Sequence, residues 1–276
     1  MSDGDCISFL QWCLPQLGMR WAGFRKVRRQ ICKRINGRIS ELNLTGHAAY
    51  REYLSNHPDE WNILDSLCFV TISRFYRDKI IFQIIGTQIL PRLVKQVTTS
   101  HRKLLQIWSA GCCCGEEPYT LKILWELAFR NHPKFDANLH ITATDHNEQL
   151  LQRANTGKYT KGSIKELPEP LLKQAFRREG QYFCIKHKFK AGINFQPQDI
   201  RRQLPDQMFD LILCRNLVFT YFDHNLQKDT LDKLADHLHG GGFLIIGAHE
   251  KLPFDHPSLV PFEHHSIIFQ KVHVTK

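Results

Sequence analysis

No run of the chain approaches the roughly 20 unbroken apolar residues that a membrane-crossing helix requires. The opening residues, MSDGDCISFLQW, have neither a basic start nor a small-residue cleavage site, so a secretory leader is not expected. Internal repeats and low-complexity linkers are absent as well. The nine cysteines are odd in number and follow no framework spacing, and no second Cys or His pair stands at zinc spacing. They read as reduced thiols in a cytoplasmic protein, and no metal site is expected. The three spaced glycines of a dinucleotide fingerprint are incomplete, and no Ser–His–Asp arrangement stands out.

What is present is a chain of 276 residues, enough for one good-sized domain or a domain with a small helper. Its formal net charge of +10 points to acidic partners. Much of the excess lies in RWAGFRKVRRQICKR, Arg20 to Arg34. Helical spacing puts Phe24, Val27, Ile31 and Ile35 on one stripe and Arg25, Arg28, Arg29 and Lys33 largely off it. That face is either solvated or a docking surface for an acidic partner.

Residues 1–70 read as helical, with Pro58 marking a break. Residues 71–103 read as a short aromatic segment and a helix that Pro91 interrupts or restarts. From residue 104 the pattern alternates. LLQIWSAG, LHITATD, FDLILCRN and GFLIIGAHE read as buried strands; PYTLKILWELAFR, NEQLLQRANTG and HNLQKDTLDKLADHLHGGG read as helices. The expected fold is α/β: a mostly parallel Rossmann-like sheet over residues 104–276, after an all-helical N-terminal domain, with a small antiparallel insert at about 176–197.

The stretch WSAGCCCGEEPYTL then falls at the carboxyl end of the first strand, where parallel sheets bind ligands. Gly111 and Gly115 let backbone pass close to a bound molecule, and Cys112–Cys114 serve as small residues. Asp145, at the tip of the next strand, is placed to accept from a ribose diol or to cap the following helix. Glu116 and Glu117 at a helix N-terminus would repel a phosphate. The ligand expected here has a ribose, no phosphate and a positive group. S-adenosylmethionine fits that description and NAD does not.

SRFYRD, WSAGCCCGEEPYTL, ATD with NTGKY, FDLILCRN with YFD, and GGGFLIIGAHE occur in an order that resembles the CheR-type S-adenosylmethionine-dependent protein-glutamate O-methyltransferases. The resemblance implies S-adenosylmethionine as cofactor, with Glu117 holding its amino group and Asp145 its ribose. Asp199 of QPQDI, followed by Ile200, stands where the family usually has an asparagine near the adenine. Arg215 and Asn216 match residues at the methionine end, and Ser73 and Arg77 match the polar residue and arginine of a linker that closes over the cofactor. Arg77 and Tyr221 are the expected catalytic residues. Four residues separate Asn216 from Tyr221 where the family usually has three, so Thr220 competes for the position facing the site. A glutamate acceptor is ionised near pH 7, since its ordinary pKa is about 4.3, and needs no general base.

The insert FRREGQYFCIK is short, similar to enzymes of the family that do not tether to a receptor tail. The resemblance implies an acidic helical partner, chemoreceptor-like, docking on the basic helix Arg25–Lys33. That helix lacks aromatics interleaved for base stacking, which argues against nucleic acid. The residues alone leave two other readings open: a different methyl acceptor, or a non-catalytic module binding S-adenosylmethionine or S-adenosylhomocysteine.

Overall fold

Short runs rich in β-branched and aromatic residues, each stopped by glycine, an acid or a polar pair, form strands buried on both faces. The computed structural model describes residues 3–129 and 137–272. Its strands are β1 (Leu104–Ala110), β2 (Asn138–Asp145), β3 (Lys158–Tyr159), β4 (Phe176–Glu179), β5 (Tyr182–Ile185), β6 (Ile193–Pro197), β7 (Phe209–Cys214), β8 (Leu238–Ile246), β9 (Leu259–Phe262) and β10 (His265–Lys271). Seven form one sheet in the order β6-β2-β1-β7-β8-β10-β9. The first five run parallel, and β10 and β9 close the edge as antiparallel strands. Strand order reverses between β1 and β7, so the ends of these two strands, at Ala110 and Cys214, flank the crevice where such sheets take ligands. β7 is buried along its whole length, as its unbroken apolar run requires.

The helices are α1 (Asp3–Gln16), α2 (Trp21–Phe24), α3 (Arg28–Glu41), α4 (His47–Asn56), α5 (Glu60–Cys68), α6 (Lys79–Ile84), α7 (Leu90–Thr99), α8 (Glu116–Ala128), α9 (Glu148–Thr156), α10 (Lys161–Ile164), α11 (Glu169–Ala175), α12 (Val218–Tyr221) and α13 (His224–Asp236). Pro91 restarts a helix: a π turn at Ile85–Ile89 precedes it, and it sits in the first turn of α7, where its missing N–H costs nothing. Arg130, the last residue of the run read as helix after the glutamates, lies outside the described residues.

Some expectations about the elements need correcting. Residues 193–197 are not part of the insert; they form β6, which pairs parallel with β2, Ile193 opposite Ile141. The insert is the smaller antiparallel sheet β3-β5-β4. His237–Gly242 do not end a helix: α13 stops at Asp236, and the glycines lie within β8. Gly242 belongs there because a Cβ would lie 2.9 Å from the Asp210 carbonyl oxygen, so only glycine permits the approach. The basic segment is not one helix either. It breaks at Arg25–Val27 into α2 and α3, so of the stretch Arg25–Lys33 only Arg28 onward is α-helical.

The chain divides into two compact units, Met1–Thr71 with Val218–Gln227, and Ile72–Leu217 with Lys228–Lys276. The helical unit packs Leu10, Leu14, Ile31, Ile35, Ile39 and Leu64 into its own core. Cys6 and Cys32 are joined there by a disulfide between α1 and α3, so the reading of all nine cysteines as thiols does not hold; the other seven are buried and form no disulfide. Among the described residues no helix is long and apolar enough to cross a membrane.

Glu60 ties α3, α4 and α5 together. It accepts from Arg38 at 2.9 and 2.8 Å and from the Tyr50 hydroxyl at 2.8 Å. The Arg38 guanidinium holds its carboxyl below the ordinary range against the opposing effect of burial, with help from Tyr50. A carboxylate with a lowered folded pKa stabilises above its unfolded pKa of about 4.3, and that contribution fades as pH falls through the folded value. Glu60→Gln is therefore expected to cost stability near neutral pH, with the gap to wild type closing below about pH 4. Denaturant melts across pH check it, and a gap constant with pH would contradict it.

Candidate active site

The loop from β1 to α8 is fixed mainly by its backbone. The Gly111 and Cys112 amides both donate to the Thr144 carbonyl, at 2.8 and 2.9 Å, and the Cys113 amide donates to Asp145 Oδ2 at 2.9 Å. The Tyr159 hydroxyl donates to the Cys114 carbonyl at 2.6 Å. Sequence reasoning had no role for Tyr159; its only signal was its place in NTGKY. Gly115 stands at φ +85°, and an added Cβ would lie 2.9 Å from Ala154 Cβ and 3.1 Å from the Phe195 ring. Gly115→Ala combines left-handed strain of about 1–2 kcal/mol with that clash. It is expected to lower the melting temperature and displace the first turn of α8, seen as weaker S-adenosylhomocysteine binding in calorimetry.

That first turn carries the two glutamates, and they face different partners. Glu117 has both oxygens bonded: Oε1 accepts from the Ser109 hydroxyl at 2.8 Å, and Oε2 pairs with Arg215 Nη1 at 2.8 Å. Arg215, whose side chain is 3% exposed, also pairs with Asp78 at 2.6 Å and donates to the Arg77 carbonyl at 3.0 Å. Its guanidinium lies 5.2 Å from the centroid of the Phe82 ring. Glu116 is buried, is hydrogen-bonded by Ser73, and has one oxygen, Oε2, with no hydrogen-bond partner among the described residues. Burial raises its carboxyl above the ordinary range, against the opposing effect of backbone amides in its own turn and of Ser73. Asp78 was not anticipated as a site residue; nothing but its position at the end of SRFYRD marked it.

Asp145 holds the next strand end. Besides the Cys113 amide it accepts from the Asn147 amide at 3.0 Å, and its Oδ1 lies 3.3 Å from His146 Nδ1. It does not cap α9: Asn147 does, accepting from the Leu150 amide. A carboxylate offers about four acceptor positions, so Asp145 retains capacity for a diol. Asp199 is clamped by Arg201, whose guanidinium Nε and Nη2 reach it at 2.8–3.1 Å and whose amide donates at 3.0 Å. Ile200 beside it is buried. Asn216 follows β7 at φ +54°, its amide donating to Glu250 Oε2 at 2.9 Å; Glu250, in the AHE of the last motif, was also missed as a partner.

Ser73, Arg77, Gly111, Glu117, Asp145, Asp199, Ile200, Arg215 and Asn216 all belong to the α/β unit. Tyr221 belongs to the helical unit, on the single turn α12, with its ring 5.0 Å from that of Phe24. The Arg77 guanidinium donates to the Ile72 carbonyl at 2.9 Å.

The cysteines are small, buried loop residues, as expected, but not all alike. Burial, reinforced by nearby carboxylates, raises the Cys112 thiol. Cys113 and Cys114 are hydrogen-bonded to one another, which raises the first and lowers the second.

The residues present fit the cofactor that the motifs imply. The buried Glu116 oxygen without a hydrogen-bond partner among the described residues asks for a cation, and an acid with spare acceptor capacity stands at the end of β2. A family model described as "CheR methyltransferase, SAM binding domain" matches residues 71–268. A chemotaxis protein methyltransferase of Listeria innocua is 33% identical over 91% of this chain and 91% of its own length. Another, of Borreliella burgdorferi, is 31% identical over 79% of this chain and 80% of its own. Site geometry and comparison agree, and the chain belongs to the CheR family of S-adenosylmethionine-dependent methyltransferases.

Proposed function

We propose that the chain forms methyl esters on glutamate side chains of an acidic, helical, chemoreceptor-like protein, and that Glu116 rather than Glu117 receives the cofactor's ammonium group. The observation that carries the Glu116 assignment is the division of labour in α8: Glu117 has both oxygens bonded, by Ser109 and by an Arg215 it shares with Asp78, while Glu116 keeps a buried oxygen without a hydrogen-bond partner among the described residues. An unpaired buried carboxylate oxygen is costly, and a bound ammonium removes that cost through a charge-assisted hydrogen bond. S-adenosylmethionine, when bound, supplies an electrophilic methyl group.

The protein's own part is positioning. Ser73 steadies the Glu116 carboxylate, and Asp145 offers its remaining acceptor positions to a ribose. Asp199, committed to Arg201, shapes the turn that sets Ile200 against the adenine. Arg77 uses one hydrogen bond to Ile72 and turns the rest of its planar fork to the acceptor carboxylate, a geometry guanidinium suits. No proton needs to be removed from an acceptor already ionised near pH 7. Tyr221 is kept as a candidate catalytic residue. The exposed Arg29 and Lys33 of α3 offer charge to an acidic helix.

Transfer of radiolabelled methyl from S-adenosylmethionine to proteins of a lysate, followed by mild base, tests the reading. Volatile labelled methanol is expected, and Arg77→Ala should abolish it while S-adenosylhomocysteine still binds. Base-stable label would overturn the glutamate assignment.

A further inference from the structure

Two thiols that methyl transfer leaves idle stand beside the carboxylate assigned to the cofactor. Cys113 Sγ, Cys114 Sγ and one carboxylate oxygen of Glu116 lie within 4.8 Å of one another, and all three residues are buried. The backbone presets the cluster: Cys113 is held at φ +53° with its amide on Asp145, and the Cys114 carbonyl is held by Tyr159. Oε2 of Glu116 has no hydrogen-bond partner among the described residues. Cys112, equally buried, is outside the group and packs with Ala143 and Leu151 instead.

We propose that Cys113, Cys114 and Glu116 form a site for a thiophilic divalent cation, zinc or cadmium, whose occupation excludes the cofactor. Two sulfurs and one carboxylate oxygen are a donor set for borderline and soft ions, with water completing a tetrahedron. Magnesium and calcium, which want several oxygens, find only one carboxylate. On binding, each thiol releases its proton to solvent and forms a sulfur–metal bond, while Glu116 adds an oxygen–metal bond; no electron is transferred. Exclusion rests on the reading of Glu116 given above, because one carboxylate cannot serve both a metal ion and an ammonium. The chain is then a methyltransferase whose cofactor loop is silenced by a thiophilic ion.

Cadmium titration of the full chain under a non-thiol reductant, followed by its sulfur-to-metal charge-transfer absorbance, tests the site. One saturating site is expected, retained in Cys112→Ser. Cys114→Ser should weaken it about 100-fold, one of two thiolates being lost. Glu116→Gln, which leaves both thiols in place, should weaken it about tenfold and guards against misfolding of the cysteine variant. Zinc should compete for the same band. Calorimetry with S-adenosylhomocysteine supplies the second arm: affinity should fall as cadmium fills the site. Absorbance unchanged in both variants, or no saturating band at all, overturns the metal site. Cadmium and S-adenosylhomocysteine bound together without interference overturns exclusion. Normal cadmium binding with no S-adenosylhomocysteine binding even in the metal-free protein would sink the cofactor reading and leave the metal site standing.

Discussion

Replacing Glu116 by glutamine should weaken S-adenosylhomocysteine binding by about 10–100-fold while leaving the melting temperature nearly unchanged. A hydrogen bond to a charged group contributes about 1.5–3 kcal/mol, and this variant removes the charge from an oxygen that has no partner in the protein to lose. Glu117→Gln should behave in the opposite way. Its oxygens are held by Ser109 and Arg215, so the loss falls on the fold more than on the ligand. Calorimetry and thermal melts on the two variants together decide between the glutamates. Unchanged affinity in Glu116→Gln would sink the assignment, as would a Glu117→Gln that loses affinity with its stability intact.

The choice between those adjacent acids shows where the sequence stops being informative. GEE after a strand announces a cationic ligand near a helix start, and that much follows from residue type. Under the assignment proposed above, which glutamate meets the ligand depends on where Arg215 comes to lie, a residue 98 positions along from Glu117. Short-range pattern carries no such distance. The strands at Leu104–Ala110 and Phe209–Cys214 were legible because burial on both faces leaves an unbroken apolar run. The glycines of β8 were not, because a close approach to the Asp210 carbonyl is a tertiary demand that looks locally like a helix stop. β6 was misplaced for a similar reason: INFQP is a strand by composition, but its partner across the sheet, β2, lies beyond the insert in sequence. The Cys6–Cys32 bridge was missed because cysteine count says nothing about which helices meet.

Arg215→Ala should destabilise the α/β unit by about 3 kcal/mol. The side chain is 3% exposed and satisfies Glu117, Asp78 and the Arg77 carbonyl at once. Removing one member of a buried pair typically costs 3–5 kcal/mol, because the partner is left charged and unpaired. Asp78 is 31% exposed and recovers some solvent, while Glu117, at 14%, recovers little, which places the cost toward the lower end, about 3 kcal/mol. For a chain of this size that is a fall of roughly 6–12 °C in melting temperature. Arg215→Lys should rescue only part of it, since a single ammonium does not reproduce a planar fork bridging three acceptors. Adding Glu117→Gln to Arg215→Ala should restore stability by removing the orphaned charge, and the departure from additivity measures the pair. A loss below about 1 kcal/mol in Arg215→Ala would mean the network is solvated and the pairing adds little. The catalytic consequence separates from the structural one. Arg215 fastens the Arg77 carbonyl and the Asp78 carboxylate to Glu117 at the start of α8, so in the rescued double variant turnover should stay low while S-adenosylhomocysteine still binds. Full turnover there would show that Arg77 needs no such anchor.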